Sequence, residues 1–142
     1  MSRKARWDRQ LETDCMKSKE DGQEGFVMVH QQDLDSAISL VGARRLELRD
    51  MAVFMALMAH MNWRSGRVPI TAKALAERLQ IQLPTCVSSL TRLKKEMLVT
   101  RVVDRNTGEN YYLLNPYVAS VGSPQRRGHL WTQFKATVGS AD

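Results

Sequence analysis

Four residues, Gln80-Ile-Gln-Leu83, separate two stretches of helical apolar spacing, and Pro84 stands where the second begins. This is a tight connection, of the length that joins two helices through a turn. Thr71 is placed to cap the first, which runs from Ala72 to Leu79 with Leu75, Ala76 and Leu79 inward. Proline suits a helix start, where its missing N–H costs nothing. The second helix extends to about Met97, with Cys86, Leu90, Leu93 and Met97 inward and Thr85, Ser88, Arg92 and Lys95 outward.

The pattern then changes to β. Val99–Asp104 and Asn110–Leu114 flank the turn Arg105-Asn-Thr-Gly108, which predicts a hairpin. Ahead of the helix pair, Arg67-Val-Pro-Ile70 reads as a short edge strand, because proline cannot donate to a ladder. Leu48–Met61 is a strong helix, apolar nearly all round after Asp50, with methionines at 51, 55, 58 and 61 suited to flexible packing. Upstream, Phe26–Val29 predicts another short edge strand. Asp33 or Asp35 is expected to cap a helix that buries Leu34, Ile38 and Val41 and stops at Gly42. Asn115-Pro116 ends the hairpin. Pro124 and Gly128 break the segment beyond it, leaving a short helix at His129–Lys135 that places Leu130, Trp131 and Phe134.

These elements divide the chain into an arm at residues 1–24, a domain at 25–120 and a tail at 121–142. The arm alternates charge around Trp7 and Leu11, which allows transient helix only. The expected class is α+β. No apolar run approaches the length of a membrane span, and the N-terminus lacks a secretory pattern. Cys15 and Cys86 form no disulfide framework, which fits reduced thiols in a cytoplasmic protein.

Charge sharpens the picture. The chain carries a net charge of +6. Residues 1–24 are neutral overall, whereas residues 64–105 hold nine basic groups against three acidic ones. The excess therefore coincides with the helix pair and the hairpin, a footprint that suits a polyanion. An exposed helix can enter the major groove, with the hairpin beside it reaching phosphates or the minor groove. On this reading the DNA-facing residues are Lys73, Gln82, Thr85, Ser88, Arg92, Lys95, Arg101, Arg105 and Asn106.

Residues 67–114, through Ile70-Thr-Ala-Lys-Ala-Leu-Ala-Glu-Arg-Leu-Gln-Ile81 and Thr85–Leu98, resemble the winged helix-turn-helix of bacterial, plasmid and phage DNA-binding proteins. Phe26–Val29 and Tyr112-Leu-Leu-Asn-Pro-Tyr117 are similar to segments of RepL-type plasmid replication initiators. The resemblance implies a winged helix-turn-helix with an N-terminal strand and helix extension and a short C-terminal helix. It also implies sequence-specific binding of double-stranded DNA, in transcription regulation or in plasmid or phage replication control. The chain departs from that superfamily where Leu83-Pro84 and Val87 stand at positions usually polar.

DNA symmetry suggests a homodimer, joined through the 48–61 helix, the 34–41 helix or the Trp131/Phe134 segment. Two other uses of the fold fit: a protein-interaction adaptor, suggested by the apolar Leu83, Pro84 and Val87, and a single-strand binder stacking bases on Tyr111, Tyr112 and Tyr117. His30, His60 and His129 lack metal-ligand spacing, and no phosphate loop or nucleophile motif is present. Neither a cofactor, a metal nor catalysis is expected.

Overall fold

The computed structural model describes residues 27–121 and 124–138. The expectations for the 1–24 arm, including Trp7, Leu11 and Cys15, and for Phe26 lie outside the described residues. The element order is β1 (Met28–Val29), α1 (Gln31–Gly42), α2 (Leu48–Ala59), β2 (Arg67–Val68), α3 (Ala72–Leu79), α4 (Leu83–Lys95), β3 (Val99–Val103), β4 (Asn110–Leu114), β5 (Ala119–Ser120) and α5 (Pro124–Val138). Helix, strand, two helices on a tight turn and a hairpin make a winged helix-turn-helix. The class is α+β.

Helix α2 is the centre of the main core. Val53, Phe54 and Leu57 are fully buried and meet Leu75 and Ala76 of α3, Cys86 and Leu93 of α4, and Val68, Val99, Tyr112 and Leu114 of the sheet. Helices α3 and α4 are joined as the short connection requires. The Thr71 hydroxyl accepts from the Ala74 N–H at 3.1 Å. Gln80 closes α3 in the left-handed region at φ 55°, a conformation that glycine usually supplies. Gln82 is the N-cap of α4, which places Pro84 in the second helical position rather than the first.

The wing is a three-stranded antiparallel sheet ordered β2-β4-β3. Arg101 is paired with Tyr112, and Val102 with Tyr111. Successive strand residues face opposite sides, and here both sides are covered. One side meets the helical core. The other carries a second core, in which Tyr111, Leu113 and Phe134 pack with Val102, Leu130, Trp131 and Val138. Tyr111 and Tyr112 are therefore both buried, which removes them as stacking platforms for a single strand. Tyr117 is exposed but sits edge-on to Trp131, 5.0 Å between ring centroids.

That second core corrects the view of residues 121–142 as a separate tail. Pro124 starts a helix instead of breaking one, Gly128 lies within it, and α5 runs for 15 residues. Gly66 allows the close approach: its φ is +76°, and a Cβ there would lie 2.9 Å from a Leu130 methyl. The N-terminal extension differs from expectation in detail. His30, not an aspartate, is the N-cap of α1. Ile38 is exposed, while Ala37 is buried. Gly42 is the last helical residue, and Arg44 makes the left-handed turn at φ 61°. Strand β1 pairs with β5, a strand that the sequence did not predict. His30 Nε2 lies 3.1 Å from the Ser120 hydroxyl across that pair.

Candidate nucleic-acid interface

The inner side of α4 is set by Cys86, Ser89 and Leu93, all buried. Expected core positions therefore shift. Ser89 is inward, and Met97 is exposed beyond the helix end at φ 59°. The outer face consists of Leu83, Pro84, Val87, Ser88, Thr91 and Lys95, with Gln82 exposed at its start. Thr85 is only half exposed. Relative to the predicted outward stripe, the helix is turned by part of a residue.

Arg92 departs most from the predicted stripe. Its Nε and one terminal nitrogen donate to the two carboxylate oxygens of Asp50, each at 2.8 Å. Such a fork is the strongest geometry available to this pair. Arg92 also lies 3.6 Å from the Glu47 carboxylate. Asp50 itself is 0% exposed and accepts the Glu47 backbone N–H at 2.8 Å, which caps α2. Burial opposes its ionisation. Hydrogen bonds from Arg92, from that backbone N–H and from Ser89 outweigh burial and hold the carboxyl below its ordinary range. The same carboxylate raises the pKa of Arg92 further above its already high value. Arg92 thus clamps α2 to α4, and the nitrogens expected at DNA are engaged by Asp50.

Five cations are exposed on the helix pair and the wing. Lys73 and Arg78 are exposed on α3, Lys95 at the end of α4, and Arg101 and Arg105 on the wing. None of these five forms an ion pair among the described residues. Lys95 in the last turn also complements the helix dipole. The wing tip is a built turn. The Asp104 carboxylate accepts the backbone N–H groups of Asn106 at 2.9 Å and Thr107 at 3.3 Å. Those two bonds hold its pKa below the ordinary value. Gly108 takes φ +73°, so Arg105 and Asn106 stand exposed at the tip of a fixed loop. Of the nine residues expected at DNA, eight are exposed or half-exposed on α3, α4 or the wing, and Arg92 is committed elsewhere.

Sequence reasoning missed Asp50. The available signal was its place three residues after Glu47 at the head of an otherwise apolar helix, a capping-box spacing. The buried Cys86 thiol is raised in pKa by burial, as suits a small core side chain. Among the described residues no three His, Cys, Asp or Glu side chains are grouped to hold a metal ion. Nor, among the described residues, is any helix long and apolar enough to cross a membrane.

No protein-family model matches the chain, and no curated protein matches it. Among solved structures, the chain is similar to MepR of S. aureus in a DNA complex, at 20% identity and a TM-score of 0.42, over 75% of each chain. It is similar to apo wild-type MarR from E. coli at 18% identity and a TM-score of 0.32, over 75% of this chain and 77% of that one. A possible transcriptional regulator from Methanosarcina mazei Go1 gives 16% identity and a TM-score of 0.36, over 68% and 73%. The chain's own element order is that of a winged helix-turn-helix protein.

Proposed function

We propose that the chain binds double-stranded DNA, with α4 in the major groove and the cations of α3 and the wing on flanking phosphates. The observation that carries this is that Lys73, Arg78, Lys95, Arg101 and Arg105 are all exposed and without ion pairs among the described residues, on the two helices and hairpin that include the exposed face of α4. Phosphate contacts of this kind position a protein, and the helix between them reads bases. A reader of this design acts by occupying its site. Transcription control by occupancy of an operator is the first use proposed, and occupancy of a plasmid or phage replication origin the second.

The test is the salt dependence of duplex binding. Lys95→Gln with Arg105→Gln should weaken binding to a mixed-sequence duplex and reduce the slope of log K against log salt by about 0.9 for each phosphate no longer neutralised. Thermal stability should fall only slightly, because both side chains are exposed and only the helix-dipole contribution of Lys95 is lost. An unchanged salt slope in a folded variant would overturn the placement of these two residues.

The proposed assembly is a homodimer. Leu48, Ala52, Met55 and Ala59 are all exposed on α2 at spacings of four, three and four, the seam of a helix that packs on a second helix. Leu48 is 78% and Met55 62% exposed. Ile38 of α1 is also exposed. Phe134, by contrast, is buried within the chain, so the α5 face built on it is not available as proposed from sequence. Met55→Glu should convert dimer to monomer in light scattering, and the melting temperature should lose its dependence on protein concentration. A wild-type chain that is monomeric at high concentration would exclude the assembly.

A further inference from the structure

The outer stripe of α4 is not the polar surface that base reading by hydrogen bonds would need. Leu83 is 44% and Val87 46% exposed, and Thr91 follows at the same four-residue spacing. The Thr91 hydroxyl is turned back on its own helix and donates to the Val87 carbonyl at 2.9 Å. With its oxygen engaged there, its methyl is the outer tip. Three methyl-bearing side chains thus stand in one row along the helix, each about 6 Å from the next. That interval is close to two base-pair steps at about 3.4 Å each. Exposed apolar groups in such a row are costly in water, and the stripe adjoins Lys95 at its C-terminal end, Ser88 at its side and the cationic wing.

We propose that Leu83, Val87 and Thr91 read the 5-methyl groups of thymine in the major groove. The thymine methyl is the one apolar group among the base edges there, so an apolar row surrounded by cations has it as a natural counterpart. The charge around the row selects a polyanion over an uncharged protein groove. Gln82, exposed and making no cap bond with its side chain, stands at the head of the row. Its amide matches the N6/N7 edge of adenine, so the front of the helix is built for A·T pairs. Leu83, Pro84 and Val87 carry the specificity that polar residues carry in other readers. This inference rests on the proposed duplex binding and names the sequence class bound.

The test uses a pool of duplexes selected by the full chain from random sequence. The same pool is amplified once with dTTP and once with dUTP, which removes every thymine methyl and leaves the pairing unchanged. The selected pool should be enriched in A·T pairs. Binding to the dUTP pool should be weaker by about tenfold, the equivalent of two buried methyl groups. The variant Leu83→Ala with Val87→Ser, both at exposed positions, should bind the two pools within about twofold of each other. Equal binding of both pools by the unmodified chain would overturn methyl reading while leaving duplex binding intact. A discrimination that persists in the variant would assign it to DNA shape and overturn the role of the row. Failure to bind any duplex at low salt would overturn the functional reading itself, and the row would then be a protein-docking face.

Discussion

Replacing Arg92 by alanine is expected to lower the free energy of unfolding by about 3 kcal/mol, because it strands a buried carboxylate. Asp50 is 0% exposed, and Arg92 forks onto both of its oxygens at 2.8 Å. If Arg92 were a base contact, the variant would keep its melting temperature and lose DNA affinity. The opposite pattern is expected in urea unfolding and duplex titration. The pair Asp50→Leu with Arg92→Met should lose less than Arg92→Ala alone, since removing both charges removes the desolvation penalty with the attraction. Some loss remains in that pair, because Asp50 also caps the first turn of α2 through the Glu47 N–H. The acid limb follows from the same geometry. The folded carboxyl of Asp50 sits below its ordinary value, so its stabilisation is complete above the unfolded pKa of about 3.9. It is lost as pH falls through the depressed folded value. Stability should therefore decline below about pH 4, and decline less steeply in the pair variant.

Phe134→Ala is expected to cost about 3–5 kcal/mol, the usual range for emptying a buried aromatic site. Phe134 is 0% exposed against Tyr111 and Leu113, and it stacks on Trp131 with ring centroids 5.9 Å apart. Hydrogen exchange should show reduced protection first in α5, then in β3 and β4. The Gln133 amide, which donates to the Tyr111 hydroxyl at 2.7 Å, should lose that bond as α5 lifts. Protection retained across α5 in the variant would mean that the helix is held by packing other than this ring.

Both predictions concern residues whose partners are distant in sequence, which is where sequence reasoning stops. The element order was legible because it is written locally: a run of Ala, Leu and Met without Gly or Pro in α2, helical apolar spacing in α3 and α4, β-rich stretches in β3 and β4, and turn residues between. The capping role of Thr71 and the turn at Gly108 were legible for the same reason. The partner of Arg92 lies 42 residues away, and no local pattern states that the two meet. Beside that ion pair the small Ser89 is inward, where the sequence pattern had placed no core residue. Tyr111 and Tyr112 show the same limit. Alternation required one to face the core, but only the placement of α5 buries the other. Residues 124–138 failed locally because Pro124 and Gly128 read as breaks, although proline is tolerated in a first turn and glycine weakens a helix by only about 1 kcal/mol. The exposed members of the proposed DNA face were found because charge and surface position go together.

The sheet of the wing lies between two cores, with α5 at its back. Hairpins that project from a domain usually settle onto DNA as they bind, and that ordering subtracts from affinity. Here the strands are held before any duplex arrives, and the turn at Asp104–Gly108 is fixed by its own hydrogen bonds. The distance from the row on α4 to Arg105 is therefore a property of the folded chain, not of the complex. On the proposed reading the protein would act as a gauge: a duplex whose groove width did not match that distance would itself have to deform to be bound.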